Sequence, residues 1–149
     1  MRSVVQRVER AEVRIGERTL SGIRKGLLVL LGIERGDREK DAIDLSEKIA
    51  HLRIFEDEAG KMNLSLLDIG GEMLVVSQFT LLGDCRKGRR PSFTEAEDPD
   101  AARTLYDRFI GRVEDKGIRV AQGEFQAMMQ VELVNHGPVT VLLDSRKHF

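Results

Sequence analysis

The 149 residues hold no tryptophan, one tyrosine, one cysteine, three histidines and three prolines. Each scarcity excludes something. A lone Cys85 cannot close an intrachain disulfide, and it fits a reducing cytosol. There is no Cys-x-x-Cys pair and no two histidines at helical spacing, so no metal centre is expected, and no cofactor. With one tyrosine and six phenylalanines, the chain lacks the aromatic platform on which RNA-binding modules stack bases. An excess of charge is missing too. The net value of −1 supplies no global pull on nucleic acid, and any such contact must come from a local patch. The longest uninterrupted apolar run, Leu27 to Leu31, is far too short to span a membrane, and Met1 to Arg7 does not read as a signal peptide. No linker, repeat or low-complexity tract appears. The expectation is one cytoplasmic domain over residues 1–149.

What is present alternates and punctuates clearly. Residues 2–8 and 11–15 read as strands, with Gly16-Glu17 as a hairpin turn. Leu27–Leu31 is apolar at every position, which marks a central strand covered on two sides. Asp37 is placed to cap a helix over 38–51, where Ala42, Leu45, Ile49 and Leu52 trace one stripe. Arg53-Ile54-Phe55 resumes a strand. A second helix starts with Asp98 as cap and Pro99 at its first position, and it stops at Gly117. Residues 118–122, 128–135 and 139–144 then read as three closing strands. Two helices among many strands predict an α/β fold of mixed β-sheets with the helices on one side.

Chemistry could reside in few places. Ser77-Gln78-Phe79-Thr80-Leu81 follows the apolar run Met73–Val76, so polar groups emerge abruptly where a buried strand ends. A nucleophilic Ser77 or Thr80 would need an oriented base, and the candidates are His51, His136 and His148. No Gly-x-Ser-x-Gly elbow surrounds either hydroxyl. The other reading makes the segment's backbone amides the polarising groups. Asn135-His136-Gly137-Pro138-Val139-Thr140 puts a Gly-Pro bond between two strand-like segments, presenting bare carbonyls and a rigid ring; it is either a plain turn or a tool. Arg86, Lys87, Arg89 and Arg90 form the one dense basic cluster, either a solvated loop or a set of phosphate contacts. Three functions stay open on residues alone: an esterase with backbone donors, an esterase with Thr80 as nucleophile, and a noncatalytic RNA-binding module using 86–90.

Taken together, Ser77–Leu81 and Asn135-x-Gly137-Pro138-Val139-Thr140 resemble the two signature motifs of the D-aminoacyl-tRNA deacylases. The resemblance covers essentially the whole chain, through Gln6-Arg7-Val8, Gly26–Val29, Arg53–Phe55, Gly60–Asn63 and Arg90–Phe93. It implies a three-layer α/β/β fold, a homodimer with two interface sites, and hydrolysis of the ester joining a D-amino acid to tRNA. By the resemblance, Gly137-Pro138 is cis and enters the partner's pocket to reject L-amino acids, while Arg7 orients it. Ser77, Gln78, Phe79 and Thr80 line the pocket, with Phe79 and Thr80 supplying backbone N–H donors. Met129 and Ala102 border it, and glycyl-tRNA is a further expected substrate. Position 136 is open in the motif, so His136 gains no role.

Overall fold

Leu27–Leu31 can be apolar throughout because its strand is sandwiched. The computed structural model describes residues 1–149. In it, β3 (Gly26–Gly32) lies inside a six-stranded mixed sheet. It runs antiparallel to β1 (Arg2–Ile15) and parallel to β6 (Glu72–Ser77), beside which β7 (Val120–Gln122) is also parallel. β2 (Arg18–Ile23) and β8 (Gln130–Asp144) both pair antiparallel with β1. A two-stranded ribbon, β4 (Phe55–Glu56) with β5 (Met62–Leu64), stands apart.

Alternation along the strands divides the interior in two. Leu27, Val29, Leu31, Met73 and Val75 join helices α1 (Glu39–Ala50) and α2 (Pro99–Glu114) in a core of 21 buried residues. Leu28, Leu74 and Val76 point the other way, against Val8, Ala11, Val13 and Ile23, in a core of eight. Helices, central strands and the curled β1–β2 half thus form three layers, α/β/β, with the larger core under the helices. A fully buried Phe109 or Leu27 contributes about 1.5–3 kcal/mol.

The helical stripes fall where the sequence puts them. Ala42, Leu45 and Ile49 are buried on α1, and Ala102, Tyr106, Phe109, Ile110 and Val113 on α2. Arg108–Glu39 pairs the two helices, and Lys116, just past the end of α2, pairs with Glu47 of α1. Asp37 does not cap α1. Arg38 holds the cap position, and its backbone N–H donates to Asp41 Oδ2 at 2.8 Å. The Asp37 carboxylate is drawn inward instead, accepting from Glu34 N–H at 2.7 Å and Arg146 Nη2 at 3.0 Å. No helix is long and apolar enough to cross a membrane.

Two further expectations change. Residues 2–8 and 11–15 are one strand, because β1 changes partner rather than stopping. Arg2–Val8 pair with β3 and Ala11–Ile15 with β2, while β8 follows along the other edge. Likewise 128–135 and 139–144 are not strands about a turn, since β8 runs on in one direction. Thr140 lies opposite Gln6 and Asn135 opposite Val8, so residues 136–139 face Arg7 alone. The Gly-Pro segment is a bulge pushed out of a continuous strand. Arg53–Phe55 also shortens, to a ribbon beginning at Phe55.

Candidate active site

In parallel strands every carboxyl end falls on one side, and open α/β sheets bind ligands there. Ser77 closes β6 at that side, and the chain then tightens into a 3₁₀ turn over Phe79–Leu82. Gln78 N–H still donates to Leu31 O at 2.8 Å, so the turn is tied to β3. Gly32 lies directly beneath: a Cβ there would meet Gln78 O at 2.9 Å and Leu82 Cδ2 at 2.5 Å. The N–H groups of Phe79 and Thr80 open the turn with no carbonyl behind them inside it, and neither donates to a loop or cap carbonyl. Two amide donors are therefore left without a partner where the strand ends. The Phe79 ring is 57% exposed and packs edge-to-face on Phe93 at 5.1 Å. The Gln78 side-chain amide donates to Thr80 Oγ1, and no histidine or carboxylate accepts that hydroxyl's proton.

Other sequence candidates gather at the same end. Gly123 N–H donates to Val75 O at 3.0 Å, and a Cβ at Gly123 would meet Met129 Sδ at 2.9 Å, so Met129 lies beside the end of β6. Ala102 sits in the first turn of α2, but its methyl belongs to the core. Tyr106 OH donates to Val75 O at 2.8 Å, and burial pushes its phenol pKa up. Two surface clefts, about 620 and 590 Å³, contain none of the predicted site residues. No histidine makes a hydrogen bond or ion pair to Ser77 or Thr80: His51 contacts Glu47, His136 pairs with Glu9 and His148 with Asp144.

The Gly-Pro bulge is built from below. Buried Arg7 donates through Nη1 to Ile54 O at 2.7 Å and through Nε to His136 O at 2.9 Å. The Gly137-Pro138 bond is cis, and Gly137 has φ +135°. A Cβ there would meet Val139 Cγ2 at 2.7 Å and Arg7 Nη2 at 3.0 Å, so only glycine fits. Within one chain this bulge does not reach Ser77–Thr80. Ser77 pairs with Leu31, which lies opposite Ser3, whereas Arg7 lies opposite Leu27. Four residues at ~3.3 Å and three strand spacings at ~4.8 Å separate them by roughly 20 Å.

The basic loop is pinned by reciprocal bonds, Asp84 N–H to Ser92 O at 2.8 Å and Ser92 N–H to Asp84 O at 3.0 Å. Asp84 also takes Arg86 in a fork, Nε and Nη2 each at 2.8 Å. Those side-chain bonds, with the Arg86 amide, hold the Asp84 carboxyl down at about 2. Arg86 is thus neutralised locally, while Lys87, Arg89 and Arg90 are exposed and form no ion pair. One grouping escaped the sequence: Glu34, Asp144 and His148 bring ligand atoms within 4.8 Å of one another. Arg2 and Arg146 already pair there, Arg2 with Glu34 and Asp144 and Arg146 with Glu34. Asn135 is another residue with no role read from sequence, although it opens the second motif; its side chain closes the bulge.

Known proteins resemble this chain in fold and in sequence. A solved structure described as a "probable eukaryotic D-amino acid tRNA deacylase" superposes with a TM-score of 0.82 at 19% identity, over 95% of this chain and 97% of that one. The two chains share a fold. A second solved structure, "c-Myc DNA Unwinding Element Binding Protein", gives a TM-score of 0.91 at 42% identity, over 97% of this chain and 98% of that one. The family model for D-Tyr-tRNA(Tyr) deacylase matches residues 4–144. Curated proteins named D-aminoacyl-tRNA deacylase are 63% identical in Syntrophus aciditrophicus and 58% identical in Clostridioides difficile, each over all of both chains. The chain belongs to the D-Tyr-tRNA(Tyr) deacylase family.

Proposed function

We propose that this chain is a hydrolase that cleaves the ester of D-aminoacyl-tRNA, and of glycyl-tRNA, by backbone chemistry. The observation that carries the reading is the pair of unpartnered Phe79 and Thr80 amides at the carboxyl end of β6, with no histidine in contact with Ser77 or Thr80. An aminoacyl ester is already activated. Amides aimed at the developing oxyanion, a positioned water and the substrate's own 2′-hydroxyl suffice to break it. The carbonyl bond to the ribose oxygen is cleaved, water supplies the new hydroxyl, and the proton leaves with the 3′-oxygen of the adenosine. Gln78 and Ser77 shape the pocket, Met129 and the α2 turn at Ala102 flank it, and Phe79 offers its exposed ring to the substrate.

Chiral selection follows from Gly137-Pro138. A fixed backbone carbonyl lies where an L side chain would project and leaves the D side chain free. Roughly 20 Å separates the two motifs along one sheet, so the Gly-Pro bulge that serves a site comes from a second copy. A C₂ homodimer supplies this twice, and light scattering should report two chains per particle; a monomer at working concentration would contradict it. Lys87, Arg89 and Arg90, with Arg86 held to Asp84, meet tRNA phosphates from the edge of the pocket. That substrate and a reduced, exposed Cys85 fit the cytoplasm. The test is deacylation of matched D- and L-aminoacyl-tRNA: cleavage of D alone is expected, and equal cleavage of both would overturn the selection.

A further inference from the structure

The bulge that carries Gly137 leaves the strand ladder, so its pose must be fixed by side chains. From below, Arg7 holds the His136 carbonyl at 2.9 Å. The far end is closed differently. Asn135 Oδ1 accepts the Val139 N–H at 2.8 Å, and its Nδ2 donates to Val139 O at 3.3 Å and to Thr140 Oγ1 at 3.2 Å. Gln6 Nε2 donates to the same Thr140 hydroxyl at 3.2 Å, tying the closure to β1. One primary amide thus satisfies both backbone groups of Val139 and pins residue 135 to residues 139 and 140 across the bulge.

We propose that Asn135 is a positioning residue for stereochemical selection, setting where Gly137 and Pro138 project. Asparagine is the only side chain of that length with a donor and an acceptor in one plane; aspartate keeps the acceptor alone, and leucine keeps neither. Arg7 holds one end of the four-residue loop. Without Asn135 the other end is free to swing, and Gly137 cannot stay within the fraction of an ångström that a steric filter requires. Asn135 touches no reacting atom and acts through Gly137, so this inference rests on the reading of Gly137 as the element that rejects L-amino acids.

The test compares wild type with Asn135→Ala, Asn135→Asp and Thr140→Val. For each, kcat/KM is measured on D-alanyl- and L-alanyl-tRNA, together with hydrogen exchange of the Val139 amide. Asn135→Ala should raise the L-to-D ratio of kcat/KM roughly 3- to 10-fold, about what one net hydrogen bond contributes. Its D-alanyl activity should stay within the same order of magnitude. The Val139 amide should exchange faster while that of Val141 does not change. Asn135→Asp and Thr140→Val should give smaller rises in the ratio, ranked by the bonds each removes. A folded Asn135→Ala with the wild-type ratio, or with D and L activities falling together, would overturn the proposal. If Asn135→Ala does not fold, the isosteric Asn135→Asp decides by the same ratio. Should wild type show no D preference, the reading of Gly137 fails on its own, and unaltered exchange at Val139 would separately refute the positioning.

Discussion

At the scale of single residues, the proposed site works through the backbone, and that makes side-chain deletions informative by how little they do. Thr80 Oγ1 is engaged by Gln78, and Ser77 has no base beside it. Thr80→Ala and Ser77→Ala should therefore each keep substantial single-turnover activity. A true nucleophile would lose about a million-fold, and such a loss in a folded Thr80→Ala would end the backbone account. Substrate ending in 2′-deoxyadenosine should suffer far more than either variant. Much of this was legible early. The abrupt change from Met73–Val76 to Ser77-Gln78 announced an exposed strand end, and Gly137-Pro138 announced bare carbonyls and a rigid ring. Asn135 was not legible as a clamp, because its partners are backbone groups whose register only the folded strand fixes.

At the scale of elements, the basic loop and the entry to α1 show charge used in opposite ways. Lys87→Ala, Arg89→Ala and Arg90→Ala should each raise KM for aminoacyl-tRNA with kcat unchanged. Each should also flatten the plot of log affinity against log salt by about 0.7–0.9. Asp84 has a depressed pKa, so its pairing with Arg86 is fully present above the ordinary carboxylate range and is lost only as pH falls through about 2. The salt slope should thus be the same at about pH 5 and about pH 8; a slope that changes over that range would contradict the pairing. Asp37 instead works in the interior, where its carboxylate accepts from Glu34 N–H and Arg146. Asp37→Ala should cost about 3–5 kcal/mol in urea unfolding, since it leaves the buried Met1 ammonium and the Glu34 N–H without their acceptor. The sequence misread Asp37 as a cap because an aspartate before a helical stripe looks the same whether it turns to the helix or to the core. It misread β1 and β8 for a related reason. Two exposed residues at Glu9-Arg10 and a Gly-Pro are ordinary break signals, yet here they mark a change of partner and a bulge in unbroken strands.

At the scale of the whole molecule, helices on one face and the curled β1–β2 half on the other leave the carboxyl ends of β3, β6 and β7 as the edge that carries the proposed site. Cover on both faces was legible from Leu27–Leu31, while the α/β/β order of layers came from the family resemblance. The separation of the two motifs was not legible, since it depends on which strand pairs with which. That separation gives the account its central claim: a site built on β6 of one chain is policed by a Gly137 carbonyl from another. The claim is sharpest for an amino acid with no β-carbon. D-alanyl-, glycyl- and L-alanyl-tRNA with one tRNA body, compared by kcat/KM, test it directly. Exclusion by clash predicts that D-alanyl and glycyl esters are both cleaved while the L-alanyl ester survives. A pocket that chose D side chains by favourable contact would make glycine a poor substrate. Glycyl-tRNA resisting hydrolysis as L-alanyl-tRNA does would contradict the account.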